Sequence, residues 1–327
     1  MSVMSGWSQL RFNLIRIKEI NMSSHAVNLR SISGLRGRTL ALTAFATAAL
    51  MGCASMPSEQ MGQTRAEKAV AVTASHQLIK FNAGQPQKIL SSMPIKGLAA
   101  GESILGIDYR ISKDALYALG SSGRLYILNE DTAQLTPVGA TPFAVKLDGG
   151  LFGFDFNPTV DRIRVISSSG QNLRLHPDTG AVVDSNPNAE GVQIDGPLAY
   201  AASDANFGKK PSVVGAAYSY NKADPKITTN FALDAATGAL VTQGSREGTQ
   251  PAVSPNTGLM FTVGKLGVNF EDAAFDIQAL SDVAFAALSG KDLRGVRWYT
   301  LDLNTGEARF IGTIDTRESI RAMAMEP

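Results

Sequence analysis

The stretch "GFDFNPTVDRIRV", residues 153–165, alternates apolar and polar side chains on either side of the turn-forming pair Asn157-Pro158. Side chains alternate with a period of two along a β-strand, so this pattern predicts two short strands joined by a tight turn. The same pattern recurs as "GIDYRISKDALYALG" at 106–120 and as "AAFDIQALSDVAFAAL" at 273–288. The stretch is therefore one copy of a repeated structural unit.

Each copy is followed by a second recurring form, a strand, a tight turn and another strand. Asp, Asn, Thr and Gly separate the two apolar runs, as a hairpin turn with a positive φ requires. The hairpins are "RLYILNEDTAQLTPVG" (124–139), "NLRLHPDTGAVV" (172–183), "TNFALDAATGALV" (229–241) and "RWYTLDLNTGEARFIG" (297–312).

Four strands repeated at about 50 residues favour an all-β fold, a single β-propeller of four-stranded blades. "SIRAMAM" (319–325) matches a first strand without its hairpin, and residues 68–90 match strands two to four without a first. We expect these ends to pair and close one blade, which gives five blades. Six blades remain an alternative, because the third unit is interrupted by segments 195–225 and 245–260, which we interpret as loop insertions.

The N-terminus has the order of a secretion signal. Arg30, Arg36 and Arg38 precede the apolar run 39–52, which leads directly into Cys53. A run of this length fits a signal peptide and is shorter than the roughly 20 residues of a membrane span. We predict a signal peptide at 1–52, of which 1–21 are interpreted as a gene-model extension ahead of a start at Met22.

Cys53 is the only cysteine of the chain, so no intramolecular disulfide can form. The segment from Leu50 to Cys53 resembles the bacterial lipobox, in which the signal is cut before a cysteine that then receives lipid. We therefore predict a lipoprotein anchored through Cys53, exported and held at the outer membrane facing the periplasm. Residues 53–67, rich in polar residues, are predicted to be a flexible tether, and 68–327 the propeller domain.

The chain carries a net charge of +1 and no block of basic residues. Proteins that bind nucleic acid usually concentrate Lys and Arg on one face to neutralise phosphates. The sequence thus excludes nucleic acid as a partner and leaves the membrane, through the lipid, as the expected one.

Three carboxylates share one position in the repeated first strands, namely Asp108, Asp155 and Asp276. First strands line a propeller's channel, so a carboxylate ring is expected there. Calcium takes six to eight oxygen ligands, and Asn157, Asp195 or Glu271 are candidates to complete such a set. The alternative, which we favour, is that each carboxylate accepts hydrogen bonds from neighbouring backbone or arginine groups.

A second polar group lies on the following strands. Arg162 and Arg164 share one face of their strand, and Asn172 and Arg174 share one face of the next. Guanidinium groups in this arrangement suit an anion site. The favoured alternative is a network between blades in which these side chains pair with Asp155, Asp161 and Asp178.

Several segments resemble the bacterial secreted family known as domain of unknown function 4394. They are "GFDFNPTVDRIRV", "GQNLRLHPDTGA", "PNTGLMFTVGKLGV" and "FDI" at 275–277, and the resemblance spans residues 68–325. It implies a propeller-like fold and export, and it implies no activity. The segment "SREGTQPAVSPNTG" is longer than the family's pattern at that place.

Two function classes remain. The first, which we favour, is a non-catalytic binding or scaffold protein without a cofactor, which takes a small molecule or a protein at the channel mouth or the loops. The second is a calcium-dependent hydrolase or lactonase that uses the channel carboxylates. The three histidines are too dispersed to form a serine-type triad or a His-rich metal set.

Overall fold

The computed structural model of the protein describes residues 59–224 and 226–327. The predicted signal peptide, Cys53 and the first part of the tether lie outside the described residues. Strands occupy most of the regular structure, with two short 3-10 helices at Ile111–Lys113 and Pro255–Thr257. Within the described residues, no helix has the length and apolar character needed to cross a membrane.

The strands follow one another in groups along the chain. The first group is β1 (Lys68–Thr73), β2 (Gln77–Asn82) and β3 (Ile89–Pro94). Blade 1 contains β4 (Ile104–Arg110), β5 (Ala115–Gly120), β6 (Leu125–Asn129) and β7 (Gln134–Val138). Blade 2 contains β8 (Phe152–Asn157), β9 (Arg162–Ser167) and β10 (Asn172–Leu175).

The second half of the chain continues the same arrangement. Blade 3 contains β11 (Ala199–Tyr200), β12 (Val213–Tyr218), β13 (Asn230–Asp234), β14 (Ala239–Gln243) and β15 (Leu259–Lys265). Blade 4 contains β16 (Asp272–Ile277), β17 (Ala284–Ser289), β18 (Arg297–Leu301) and β19 (Ala308–Thr313). The last strand is β20 (Ile320–Met325), which forms blade 5 together with β1, β2 and β3.

The sheets form a five-bladed β-propeller, as the sequence repeat predicts. The inner strands β4, β8, β12, β16 and β20 contact one another in a closed ring. Blade 5 is closed by the two ends of the domain, because β1 pairs antiparallel with β20, with Ala69 opposite Met325. The predictions of five blades and of closure by the terminal strands are confirmed.

Blades 2 and 3 depart from four strands. In blade 2 the fourth strand is reduced to a single bridge between Leu175 and Val182, and in blade 3 the short β11 adds a parallel fifth strand beside β15. The interpretation of 195–225 as a loop insertion is wrong, because it contains the inner strand β12. Every residue of β12 is buried, so it lacks the alternation that identifies a half-exposed strand in a sequence.

Apolar side chains fill the space between adjacent blades. Between blades 4 and 5, the ring of Phe285 stacks on Trp298 at 5.4 Å, and Phe81 meets the same indole edge-on at 5.1 Å. The indole Nε1 of Trp298 donates a hydrogen bond to the carbonyl of Ala83 at 2.9 Å. Aromatic packing and a satisfied indole thus fix the blade closed by the termini against its neighbour.

The segment just before β1 is held against the outside of blades 4 and 5. The carboxylate of Glu59 accepts a hydrogen bond from the backbone N–H of Thr313 at 3.0 Å. The carbonyl of Gly62 accepts one from the Gln85 side chain at 2.9 Å, and the Arg65 N–H donates to Asn82 at 2.9 Å. Among the described residues, contacts with the propeller are thus present from Glu59 onward, ahead of the predicted boundary at Lys68.

Candidate functional site

Three carboxyl groups meet at the centre of the ring of inner strands. Asp108 on β4, Asp155 on β8 and Asp276 on β16 each offer an oxygen atom, and these atoms all lie within 4.8 Å of one another. The three residues are only 4%, 2% and 5% exposed. We call them the channel carboxylates. The common register that the sequence indicates thus corresponds to a real cluster in space.

Each channel carboxylate accepts a hydrogen bond from the inner strand of the next blade. The backbone N–H of Phe156 donates to Asp108 at 2.7 Å, and that of Tyr218 donates to Asp155 at 2.9 Å. The N–H of Met325 donates to Asp276 at 2.6 Å, so the contact with β20 follows the same rule. The carboxylates therefore connect neighbouring inner strands that share no sheet.

Two inner strands carry alanine instead. Tyr218 and Met325 donate the same hydrogen bond as Phe156, so the residues before them, Ala217 and Ala324, stand where Asp155 stands in β8. Both alanines are fully buried. Five acidic groups would crowd this centre with like charge, and two alanines reduce that repulsion.

Burial and mutual repulsion favour protonated forms of the channel carboxylates. Burial, and then the charge of Asp276, holds the pKa of Asp108 well above its usual range. The pKa of Asp155 is raised by burial and by both neighbouring carboxylates. Burial raises the pKa of Asp276 to about 7. The cluster thus holds protons near neutral pH unless a cation replaces them.

Close packing of the inner strands shuts the channel on one side of this cluster. A Cβ on Gly106 would lie 2.2 Å from the Cβ of Phe154, and one on Gly153 would lie 2.6 Å from that of Ala216. The space left among these strands is about 20 Å³, enough for roughly one water molecule. A side chain larger than hydrogen at either glycine would force the inner strands apart.

Tyr220 lies just beyond the end of β12. Burial and the charges of all three channel carboxylates raise the pKa of Tyr220. Its backbone N–H donates to Asp282 at 3.2 Å. No sequence pattern marks Tyr220, because the segment around it has no counterpart in the other repeats.

The channel carboxylates fit calcium poorly. Both oxygens of Asp276 already accept backbone N–H groups, from Ile277 and from Met325, at 2.6 Å each. Calcium needs six to eight oxygen ligands, so three carboxylates that are already engaged require further donors. A shared proton suits this set of oxygens better than a calcium ion does.

The residues expected to complete a calcium site are engaged elsewhere. The Asn157 side chain accepts from Thr159 in its own turn, Asp195 pairs with two arginines, and Glu271 lies 3.0 Å from Lys291. The structure therefore brings together Asp108, Asp155 and Asp276 and leaves Asn157, Asp195 and Glu271 in separate contacts.

Arg164 forms the centre of a buried network in blades 2 and 3. Its Nη1 donates to Asp195 at 2.6 Å and to Asn172 at 2.8 Å, and its Nη2 donates to Asn256 at 2.7 Å. Arg174 forms two hydrogen bonds with the same Asp195, both at 2.8 Å. The carboxylate that balances Arg164 is thus Asp195 rather than Asp155.

Asp155 and Arg164 still stand opposite each other on β8 and β9. They are connected through Tyr218, whose N–H donates to Asp155 and whose hydroxyl accepts from Arg164 Nε at 3.3 Å. Asn256, Gln243 and Tyr218 are network members that the sequence did not indicate. They come from distant segments, and only folding brings them to Arg164.

The remaining predicted polar residues lie between blades 1 and 2. Asp161 and Asp178 both pair with Arg110 of β4, with contacts of 2.5 Å each. The guanidinium of Arg162 donates to the carbonyl of Asp161 at 2.8 Å and takes no part in the Arg164 network. The sequence did not indicate Arg110, although it follows the repeated "GIDY" directly.

The cavities at the loops of blade 3 are larger than the one at the channel mouth. The cavity at the channel mouth, beside Asp272 and Arg321, measures about 100 Å³. Two cavities of about 490 Å³ and 400 Å³ flank the connection between β14 and β15. Ligand pockets usually span roughly 300–1,000 Å³, so the loops of blade 3 offer the space that the channel lacks.

Five blades around an occluded, carboxylate-lined centre define the class of this protein as a five-bladed β-propeller. Within that class, the chain belongs to the family described as Domain of unknown function (DUF4394), whose model matches residues 77–324. No curated protein matches the sequence.

Two solved structures resemble the chain weakly. One is a structural genomics protein of unknown function from Bacteroides thetaiotaomicron, with 12% identity and a TM-score of 0.39, covering 76% of this chain and 58% of that one. The other is dihydro-heme d1 dehydrogenase NirN in complex with DHE, with 10% identity and a TM-score of 0.34, covering 79% and 46%. The chain thus spans about half the length of these structures.

Proposed function

We propose that the protein is a lipid-anchored, extracytoplasmic β-propeller that binds a ligand at its loops and catalyses no reaction. The proposal gives the channel carboxylates a structural role and places ligand binding at blade 3. Export, the lipid on Cys53 and a position at the outer membrane facing the periplasm follow from the signal and lipobox pattern of the sequence.

The observation that carries the non-catalytic part is the closure of the channel. A hydrolytic metal needs an open coordination position that substrate can reach. The space left among the inner strands beside the channel carboxylates is only about 20 Å³, and each carboxylate is at most 5% exposed. So small a space holds about one water molecule and does not admit a carbonyl substrate.

Turnover by the mature domain, residues 54–327, tests this part against the alternative of a calcium-dependent hydrolase or lactonase. We expect no calcium-dependent hydrolysis of a panel of esters and lactones, and calcium well below one equivalent by elemental analysis. Hydrolysis that requires calcium, disappears in Asp276→Asn and persists in the exposed control Asp131→Asn would establish the enzyme instead.

Membrane fractionation of cells that express the full chain tests the anchor. We expect the wild type to need detergent for release and the Cys53→Ser variant to be released without it, because lipid attaches to that sulfur. Ser55→Ala is the matched control and should fractionate like the wild type. Detergent-dependent retention of Cys53→Ser would contradict the lipoprotein proposal.

A further inference from the structure

One cavity at the loops of blade 3 has a polar floor. It measures about 400 Å³ and lies between the turn after β8, the segment 226–228 and the connection 245–255. We call it the rim cleft. Its floor includes Tyr218, Asn230 and Gln243, which stand at the ends of paired strands.

Asn230 leaves one acceptor at this floor without a partner. The residue is 2% exposed, and its Oδ1 has no hydrogen bond. Its Nδ2 donates to Gln243 Oε1 at 3.1 Å. A buried acceptor without a partner is unfavourable, so this atom favours a ligand that brings a donor to it.

The orientation of the Asn230 amide is fixed by its neighbour. Gln243 Nε2 donates to Asn172 Oδ1 at 3.0 Å and to the Pro255 carbonyl at 2.7 Å. Its Oε1 therefore faces Asn230 and requires the Nδ2 there. Turning the Asn230 amide over would bring two oxygens together, so Oδ1 stays the free atom.

Most side chains that line the rim cleft are neutral, and Lys226, Arg246 and Glu247 are the charged ones. Amide and hydroxyl side chains line it, among them Thr159, Thr228, Thr249 and Gln250, interspersed with apolar Ile227 and Val253. A hydroxyl group both donates and accepts, so a ligand rich in hydroxyls matches such a lining. The CH groups of such a ligand can pack against Ile227 and Val253.

Two of these charged side chains have other partners, and Glu247 Oε1 accepts a hydrogen bond from Asn221 Nδ2 at 3.3 Å. Arg246 donates from Nη2 to the Leu303 carbonyl at 2.8 Å and to Asn304 at 3.2 Å. Its guanidinium lies 5.4 Å from the centre of the Phe231 ring. An anionic ligand would instead meet the lone pairs of Asn230 Oδ1, and an apolar one would leave that atom unsatisfied.

We propose that the rim cleft binds a neutral saccharide, with one hydroxyl donating to Asn230 Oδ1. This inference rests on the proposed binding function and adds the class of ligand. Peptides are the second source of donors, but the strand ends at the floor already pair with each other, Tyr218 with Asn230 and Asn230 with Gln243. The floor therefore offers a peptide no free strand edge, and side chains alone would have to recognise it.

A glycan array probed with the labelled domain, residues 54–327, identifies the saccharides to be titrated by calorimetry. Thr249→Trp fills the mouth of the rim cleft from an exposed position, and Thr136→Trp places the same side chain on exposed β7 as a control. We expect Thr249→Trp to weaken binding at least about tenfold and Thr136→Trp to leave it unchanged. Asn230→Ala, with its folding checked by thermal melting, should weaken binding similarly.

The outcomes separate this inference from the proposed function. Absence of any bound saccharide, or equal affinity in the wild type and Thr249→Trp, overturns the saccharide site. If a displayed peptide library instead yields a ligand that Thr249→Trp releases, the ligand class is wrong and the binding function stands. If neither library yields a ligand, the binding function fails as well.

Discussion

The channel carboxylates show how single residues join blades that share no backbone ladder. Asp108, Asp155 and Asp276 each accept an N–H from the following blade, and each is removed from water. An ionised carboxyl group in such a place is costly unless something compensates it. The protonation state of these groups should therefore control the stability of the propeller.

The pH dependence of unfolding tests this expectation. The pKa of Asp276 is about 7 in the folded protein, against an ordinary value of 3.8. A raised pKa in the folded state gives stability that is fully present below the unfolded value and is lost as pH rises through the folded one. We expect the free energy of unfolding to fall by up to about 1.4 kcal/mol per pH unit for each such proton between these values.

Asp276→Asn keeps an oxygen that can accept from Met325 and removes the titration. The variant should lose less stability than the wild type in urea unfolding between about pH 5 and pH 8, with chelator present. Asp131→Asn, on an exposed turn, is the control and should follow the wild type. Equal slopes for Asp276→Asn and the wild type would show that the cluster does not hold the extra proton.

Among the structural elements, β20 stabilises more of the fold than its length suggests. It pairs with β1 inside blade 5 and contacts β4 and β16 as an inner strand. Met323, Ala324 and Met325 are all buried, and Met325 supplies the N–H that Asp276 accepts. Its removal would open a strand edge and a gap between two blades at once.

Deleting residues 319–325 should therefore destabilise the whole domain. Losing a buried Met costs about 2–5 kcal/mol, and each kcal/mol lowers the melting temperature of a domain of this size by about 2–4 °C. We expect the midpoint of thermal unfolding to fall by at least about 10 °C, or cooperative melting to disappear. Removal of Pro327 alone is the control. An unchanged midpoint after the larger deletion would mean that β20 only frays.

Strands were predictable where apolar and polar side chains alternate, or where turn residues stand between two apolar runs. The alternation in "GFDFNPTVDRIRV" and the turn residues of the hairpins reflect local backbone preferences. β8, β9 and the strands of blade 4 could therefore be predicted from the sequence. β12 could not, because its sequence "VVGAAY" has no polar side chain that alternates with the apolar ones. The fourth strand of blade 2 also escaped correct prediction, because only Leu175 and Val182 pair there.

At the scale of the whole molecule, the repeat predicts the ring, and the ring predicts which residues meet at its centre. The candidate functional residues likewise form two groups, those that the repeat brings together and those that it does not. The channel carboxylates share a position in the repeat, so symmetry brings them together. The rim cleft and the Arg164 network depend on Asn230 and Gln243, at the ends of the hairpin of the third unit, and on Asn256, in the irregular segment that follows it. Their contacts arise from segments far apart in sequence, for which the repeat supplies no register.

The pairing of β1 with β20 also determines the order in which the propeller can fold. Whichever strands form early, the ring cannot close until β20 has been synthesised. Until then the edge of β1 stays open, and Asp276 lacks the N–H of Met325. Closure between the two ends of the domain is a slow, long-range step. A chain that ends before Ile320 would thus leave the edge of β1 open to aggregation and proteolysis.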